Sequence, residues 1–485
     1  MKTFDVTFQR DDHKHAVTDW RLVSDVCAGE RQVKSKETIY LPKLNPADKS
    51  NRNQLRYEGF LARAVFHNVT GRTLEGLIGT VFNKPATLTI PAGLDYIKEN
   101  IDGRGVNIYQ QAQATLSHVL KKGRHVLFTD YPPNDTDASK LDLQAGLVRA
   151  IVVSTDAEKV INWRSEKVGS SYRLTLVVIE ESYVETSPDG FGSETKTQYR
   201  VLKLDQGVYT VEIWRNDDQK KSWSVHESYV PRNGKGQVWT IIPLVFIGSQ
   251  NNDTEIDKAP LLDQATVNLA HYRNSALYED SVYYVGQPQP VITGLDTDWR
   301  DWLESQGLEL GSQSVIPLPE SGDYKIVQVA PNTIVKEAMD QKEEQMIGLG
   351  ARLVQKGQAV KTATEAQADN ESEHSVLSLV ASNISDAYTQ VLTWMGEFNN
   401  VESGEISFEL NTDFVEHKLD SQMLTALVAA WQAGGLPRSD YWAILREGGL
   451  IDPEKTDDEL EDEAEVSDVG LGLDDIDEDD ESGTT

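Results

Sequence analysis

Few side chains in this sequence could do chemistry, and the first group is the stretch DDHKH near the N-terminus. It places His13 and His15 beside Asp11 and Asp12, a set of nitrogen and oxygen donors that could ligate a metal ion. Ligands must be held in place by their surroundings to bind tightly. Because this stretch is polar and lies close to the chain end, we expect a solvated segment and predict no metal site.

Signals for nucleophilic or nucleotide chemistry are weak throughout the chain. The Gly-rich stretches 76–79 and 102–105 lack both the dinucleotide fingerprint and a Gly-Lys-Ser/Thr phosphate loop, and no Gly-x-Ser-x-Gly elbow occurs. His118 and His271 fall on helical faces, where structural histidines are common. The sequence singles out no pair of carboxylates. We therefore predict no catalytic residue, no cofactor and no ATP hydrolysis by this chain.

Two tryptophans and two basic stretches are the remaining candidates for a binding site. Trp299 and Trp302 could form a binding platform, but their spacing favours a helix whose indoles anchor the core of a small module. The basic stretches 121–124 and 217–221 have no interleaved aromatic residues of the kind that single-strand binding needs. Ordinary turns are the expected structure at both stretches.

Composition limits the class of protein. The 485 residues include 39% hydrophobic residues, enough for sizeable cores, and a single cysteine, Cys27, which cannot form an intrachain disulfide. We expect a soluble chain, since the N-terminus lacks a signal-peptide core and no eighteen apolar residues run together. Residues 452–481 hold seventeen Asp and Glu against one Lys, half of the net charge of −32. That tail should be disordered, and it either keeps the protein soluble or recruits a basic partner.

Hydrophobic periodicity predicts a helical first part followed by a β-rich middle. Helices are expected at Asp19–Glu30, from Arg56 to near Asn68, from Thr70 to Phe82 and at Ile108–Leu120. Val126–Phe128 reads as a buried strand. Residues 147–248 alternate Val, Ile, Tyr and Thr between Gly and Asp turns, so we predict at least four mostly antiparallel strands.

Long helices dominate the second half. One helix of about 25 residues begins at Pro260, a second covers Asn332 to Val354, and a small mixed module lies between them. The polar stretch from Lys356 to Ser375 separates the second helix from a third, Glu373–Phe398. A short strand and short helices follow, one of them capped by Asp420 or Ser421 and the next opened by Pro437.

This order of elements resembles the portal proteins of tailed bacteriophages, the head-to-tail connectors. Local similarity lies in YLPKL, RYEGFLARAVFHNVTGRTLEGLIGTVFNKP, APLLDQATVNLAHYRNSALYED and GLPRSDYWAILREGGLI, and it spans most of residues 41–452. The resemblance implies an α+β portal-like fold with a wing, a helical stem, a small α/β clip, a tunnel loop and a helical crown. The implied division is 1–130 mostly helical wing, 131–250 β-rich wing, 251–285 stem helix, 286–331 clip, 332–354 second stem helix, 355–371 tunnel loop, 372–399 long wing-base helix, 400–451 crown and 452–485 acidic disordered tail.

The resemblance also implies partners and a place of action. Such a chain would form a ring of about twelve copies at one vertex of a capsid, in the virion, after assembly in the host cytoplasm. Double-stranded DNA would pass through the ring during packaging and ejection. A terminase or packaging motor, a head-tail adaptor, and the major capsid and scaffold proteins would dock on it, and no membrane would be involved.

Two sets of residues would face the channel. Acidic walls would repel the DNA backbone, while Lys356 and Lys361 in the loop would contact phosphates briefly, unless they pair with Glu365 or Asp369 instead. The second stem helix carries a limited apolar stripe, as expected of a helix that packs on neighbours and turns another side to a channel. The stripe comprises Ile334, Ala338, Met339, Met346 and Leu349, and the polar residues beside it are Glu337, Lys342, Glu343 and Glu344.

Two other classes of protein remain open at this stage. A hydrolytic enzyme with an unrecognised carboxylate site would be a monomer or dimer with a deep pocket and perturbed carboxylates. A tail or baseplate component would share the β-rich part but not the order of helix, insert, helix, loop and helix.

Overall fold

The structure is a computed structural model of the chain. It describes residues 5–131, 148–217, 222–285, 289–294, 296–306, 319–327, 333–354, 375–401, 404–414, 427–431, 435, 437–447, 451 and 455–461. Contacts divide the chain into two compact units, Met1–Thr412 and Asp413–Thr485.

Ten helices of the described residues are used below. They are α1 Asp11–Cys27, α2 Glu30–Ser35, α3 Asn51–Arg63, α4 Val69–Val81, α5 Ile108–Lys122, α6 Leu262–Val285, α7 Thr297–Gln306, α8 Thr333–Arg352, α9 Val376–Phe398 and α10 Arg438–Glu447. Their starts follow capping chemistry: Asn107 and Gln110 form a capping box at α5, and Ser375 accepts a hydrogen bond from the Ser378 amide at α9. α5 ends at Gly123, whose φ is +68° and whose Cβ position would meet the Asp257 carbonyl at 2.5 Å, so only glycine fits there.

Twelve strands among the described residues form four antiparallel sheets. They are β1 Thr87–Thr89, β2 Arg124–Asp130, β3 Ile151–Asp156, β4 Val160–Val168, β5 Ser171–Thr186, β6 Ser193–Asp205, β7 Val208–Asp217, β8 Ser222–Tyr229, β9 Leu244–Gly248, β10 Gln289–Thr293, β11 Asp323–Val327 and β12 Ser407–Glu409. β4 to β8 form a five-stranded meander, and β3, β2 and β9 form a three-stranded sheet in that order. The other two sheets are the pairs β1 with β12 and β10 with β11. The α+β class and the antiparallel middle are confirmed.

The main core surrounds α9 and β2. α9 packs on α5, β2, β9 and β12, and most of its side chains are buried, including Val380, Ile384, Tyr388 and Val391. The Tyr388 hydroxyl lies 3.1 Å from the Thr115 hydroxyl and donates to Gln111 on α5. The apolar face predicted for this helix is therefore the face that the core covers.

Three local expectations from the sequence are wrong. DDHKH is not a solvated segment: it forms the first turn of α1, where His13 is buried with its ring 5.6 Å from that of Trp20. α3 ends at Arg63 rather than near Asn68, because the chain turns extended at Ala64 and buries Phe66 against Tyr272. α4 starts at Val69 and not at Thr70, because Asn68 caps it with a side chain that accepts from the Gly71 amide.

The second unit contains α10. Within it Trp431 stacks on Tyr441 with ring centroids 5.1 Å apart, and Arg438 forms an ion pair with Glu461 at 3.0 Å. Both caps proposed for the helix before α10, and most of the predicted acidic tail, lie outside the described residues.

Candidate functional site: the paired helices α6 and α8

The first third of α6 is fixed to the body by buried amide side chains. Asn268 is fully buried; its oxygen accepts from the amide and hydroxyl of Thr70 at 3.2 and 3.0 Å, and its nitrogen donates to the His67 carbonyl at 2.8 Å. Gln264 donates to the Thr73 hydroxyl and to the Met346 carbonyl, both at 2.9 Å. These bonds tie α6 to the start of α4 on one side and to α8 on the other.

A second anchor lies near the end of α6. Asp280 is buried and accepts from Arg56 and from Arg63, the latter at 2.8 Å. The guanidinium groups lie over the rings of Tyr284 and Tyr283, at 4.8 and 4.2 Å. Burial would raise the pKa of Asp280, but the hydrogen bonds and charges of the two arginines outweigh it and hold that pKa below its usual range.

Around this anchor the exposed surface of α6 is apolar. Leu277, Val282, Tyr283 and Tyr284 are each more than two fifths exposed. Apolar side chains cost free energy when they stay in water, and a cluster of them marks an interaction surface. We call these four residues the apolar end of α6.

α8 packs against α6 with one face. Met346 is buried, Val335, Met339 and Leu349 are half-buried, and Gly350 brings the backbone close to Gln264. Ile334, which the sequence placed in the same stripe, is instead 72% exposed. Ile334 is rotated by about 100° around the helix axis from Val335, so it lies outside the packed face.

The opposite face of α8 carries three carboxylates, with the exposed Ile347 beside them. Glu337, Asp340 and Glu344 recur at intervals of three and four residues and are all exposed. They point away from the face that contacts α6, since Val335 and Met346 lie half a turn from them. We call these three residues the acidic stripe.

The four stem residues predicted from the sequence divide between the two faces. Glu337 and Glu344 belong to the acidic stripe. Lys342 is half-buried and donates to the Ala338 carbonyl at 3.2 Å. Glu343 lies 3.3 Å from Nε2 of His271.

His271 is a buried histidine without a well-aligned hydrogen bond to either ring nitrogen. Burial lowers its pKa despite the nearby Glu343, and its ring meets that of His67 edge-on at 5.5 Å. The sequence predicted a structural histidine with satisfied polar atoms; the ring is buried, but its nitrogens are not fully satisfied.

The loop residues Lys356, Lys361, Glu365 and Asp369 lie outside the described residues. Their predicted contacts with DNA stay predictions.

The sequence did not predict two clusters of buried charged residues. The stretch 121–124 is not an exposed basic turn: Lys122 is buried and donates to Asp156 and Glu158 at 2.6 and 2.7 Å. Arg124 is also buried and donates to the Thr254 and Glu255 carbonyls. The partners of both cations lie on distant segments, so local sequence gave no signal for them.

Two histidines stack beside this cluster. The rings of His118 and His125 lie 4.8 Å apart and nearly parallel. Burial lowers the pKa of His118 to about 4, and the nearby Asp156 offsets only part of that effect. In the described part of the chain no group of three or more His, Cys, Asp and Glu side chains is placed to hold a metal ion.

The other notable carboxylate is Asp130 at the end of β2. Burial raises its pKa, although Arg200 lies 3.3 Å away and also donates to Glu181 at 2.7 Å. Asp130 does not line the cavity of about 790 Å³ between β4 and β9. Asp130 on β2 and Glu181 on β5 both pair with Arg200 on β6, so these ion pairs join the three-stranded sheet to the five-stranded sheet.

The two tryptophans of α7 do not form a core. Trp302 is 43% exposed and Trp299 is half-buried, with their rings meeting edge-on at 5.3 Å. Among the described residues no helix is long and apolar enough to cross a bilayer.

Comparison with known proteins gives one family match. A model described as "Domain of unknown function (DUF4055)" matches residues 260–399, a segment that holds α6, α7, α8 and α9. No curated protein matches the chain.

Solved structures give more distant likenesses. A chain of the virion of a native gene transfer agent particle is 14% identical, with a TM-score of 0.40, and the match covers 80% of this chain and 92% of that chain. A chain of the neck of an empty gene transfer agent particle, computed with C6 symmetry, is 12% identical with a TM-score of 0.39 and the same coverage. A chain of the neck of the native particle, computed with C12 symmetry, is 12% identical with a TM-score of 0.38, covering 78% of this chain and 89% of that one. These structural neighbours are virion and neck components.

Proposed function

We propose that this chain is a portal subunit: copies form a ring at one capsid vertex, and the ring is the channel through which double-stranded DNA enters and leaves. The observation that carries the proposal is the construction of the helix pair. α8 contacts α6 with one face and turns the acidic stripe to solvent with the other. A helix with these two faces suits the wall of a channel for a polyanion.

Electrostatics explains why the lining is acidic. DNA binds proteins largely by exchanging its counterions for Lys and Arg, so a wall of carboxylates offers it no site to stay. Repeated around a ring, the acidic stripe would surround the duplex with negative potential. This potential would repel the phosphates, so the duplex would stay near the channel axis and would not bind to the wall.

The apolar end of α6 supports the ring itself. It surrounds the Asp280 anchor, and its side chains remain partly exposed in the single chain. Packing on a neighbouring copy would remove them from water at roughly 25 cal/mol per Å² of apolar area. The apolar end of α6 therefore has a natural place between subunits.

We further propose the roles that the sequence resemblance assigns to the remaining segments. Residues 286–331, with β10, α7 and β11 among them, act as the clip that meets the packaging motor and the head-tail adaptor. Residues 355–371 act as the tunnel loop, in which Lys356 and Lys361 touch phosphates. Replacing both lysines by glutamine should reduce genome packaging or retention; unchanged yields of filled particles would argue against that role.

The first experiment is the mass of the purified chain by light scattering, followed by negative-stain imaging. Rings with a central hole and a mass near twelve times 54.1 kDa are expected. A monomer or dimer, both alone and with scaffold protein, would count against the proposal. A variant with the apolar end made polar by L277S and V282S should form smaller species instead of rings, whereas V225S, which changes an exposed valine on β8, serves as the control.

A further inference from the structure

The five-stranded sheet carries a two-stranded extension with an exposed aromatic residue at its tip. β5 pairs with β4 only as far as Ile179, and β6 pairs with β7 only from Gln198 onward. Between these points Ser182–Thr186 and Ser193–Thr197 pair with each other alone. This arm, residues 182–197, reaches about 17 Å beyond the sheet at 3.3 Å per residue.

The tip of the arm is tightly built. The Ser187 amide donates to the Gly192 carbonyl at 2.8 Å, the Gly190 amide to the Ser187 carbonyl at 2.9 Å, and the Phe191 amide to Asp189 at 3.1 Å. Gly190 takes φ +77°, as such a turn requires. The turn presents Phe191 with 97% of its surface exposed. A large apolar side chain on a rigid turn is the form of an anchor for a pocket.

A pocket of suitable size and chemistry lies at the other end of the same sheet. The cavity of about 790 Å³ between β4 and β9 is lined by aromatic and aliphatic groups, among them Trp163, Ile242, Phe246 and Trp394, together with charged side chains, which are Arg10, Arg173, Asp253 and Glu255. Its volume is in the range of roughly 300 to 1,000 Å³ that is usual for binding pockets. Tyr172, 73% exposed, stands at its edge.

The arm cannot fill the cavity of its own chain. Tyr172 is the second residue of β5 and Thr186 is its last, and the fourteen steps between them span about 45 Å at 3.3 Å per residue. The anchor and the pocket therefore lie at opposite ends of one strand. Complementary surfaces placed head to tail join identical copies into a ring or a filament.

One basic side chain at the edge of the cavity suits an acidic arm. The arm carries Glu185, Asp189 and Glu194 against Lys196, a net charge of −2. The lining as a whole is formally neutral, with Arg10 and Arg173 against Asp253 and Glu255, but Arg173 is exposed next to Tyr172 at the edge, where it can meet a carboxylate of the arm. Complementary potentials steer partners together and fix their register.

We propose that the arm of one subunit inserts Phe191 into the cavity between β4 and β9 of the next copy in the ring. The inference rests on the proposed ring, and it assigns the contact that links the outer sheets of neighbouring subunits. An isolated two-stranded extension is marginally stable in water, so this contact also accounts for the arm.

Disulfide trapping tests the contact directly. In a Cys27→Ala background, which removes the one native thiol, protein with Phe191→Cys is mixed with protein carrying Tyr172→Cys under mild oxidation. The mixture should give disulfide-linked dimers, and neither protein alone should do so. Val225→Cys on β8 replaces Tyr172→Cys as the control that should not link. Rings that form without the mixed dimer, or dimers of Phe191→Cys alone, would overturn the proposal and leave the ring itself standing.

Assembly supplies a second readout. Phe191→Ala should raise the protein concentration at half assembly on the order of tenfold, as loss of an anchor does, and Phe191→Leu should retain most of the assembly. Glu194→Lys and Arg173→Glu should each weaken assembly, and together they should restore it. If Phe191→Ala assembles as well as the wild-type chain, the contact is excluded. If the wild-type chain never forms rings, the portal function is refuted instead.

Discussion

Replacing Asn268 by alanine should loosen the attachment of α6 to the body. The side chain is fully buried and makes three hydrogen bonds, two with Thr70 and one with the His67 carbonyl. The Thr70 amide belongs to the first turn of α4, where no intrahelical acceptor exists. A residue of α6 therefore completes the start of α4, and its loss leaves buried polar groups without partners.

The free-energy cost of this substitution follows from the three hydrogen bonds. Each is worth about 1 kcal/mol net, and a buried group left unsatisfied costs about 1 to 3 kcal/mol. Alanine is the better helix former by roughly 0.5 kcal/mol, which offsets part of the loss. The net cost should be about 2 to 4 kcal/mol, equal to a change of roughly 30- to 700-fold in the local opening equilibrium.

Hydrogen exchange measured by mass spectrometry reads this opening locally. Peptides that cover the first turn of α4 and the middle of α6 should lose protection by that factor in Asn268→Ala. Asn274→Ala is the matched control, because it changes the same residue type on the same helix at a half-buried position. Equal exchange in the two variants would refute the view that Asn268 couples α6 to α4.

Three further predictions concern charge. Converting the acidic stripe to lysines should leave rings intact but make them bind DNA, with an affinity that falls as salt rises, measured by gel shift; rings that still ignore DNA would contradict an acidic channel wall. The folded pKa of His118, about 4, lies below the ordinary 6.5, so the unfolded chain takes up the proton first. Stability is therefore lost as pH falls from about 6.5 to about 4, by up to about 3 kcal/mol, and His118→Gln should flatten that part of the urea-midpoint profile. Lys122→Met should lower the thermal midpoint by an amount equal to about 3 kcal/mol, since it strands Asp156 and Glu158, whereas the exposed Lys159→Met should cost less than about 1 kcal/mol.

Local pattern was enough to predict most elements. The capping box of α5, the apolar face of α9 and the alternation of β5 and β6 all depend on neighbours within a few residues. Antiparallel strands joined by short turns are likewise local features. The class of the fold and the paired helices around the insert followed from these signals.

The failures have one physical cause, which is a partner far away in the chain. His13 looked solvated, yet Trp163 on β4 helps to cover it at 6.5 Å. Lys122 looked like part of an exposed basic turn, yet its counterions arrive from the segment after β3. Periodicity carries no information about such encounters.

The candidate site shows the same division. Glu337 and Glu344 could be placed on a polar helix face from spacing alone. Three other features could not be predicted, because each depends on tertiary packing or on the geometry of one turn. They are the buried amides of α6, the Asp280 cluster and the exposed Phe191.

The small sheet of β1 and β12 bears on how the chain reaches its native state. Thr87 pairs with Glu409, so this pairing joins segments roughly 320 residues apart and must close a very long loop, a slow and late event in folding. The five-stranded meander needs only sequential hairpins and can form while the chain is still being synthesised. The body, by contrast, cannot close until β12 has left the ribosome. Nascent chains would therefore expose unfinished surface around β1 for most of translation, and the body of the protein is completed only after β12 has been synthesised.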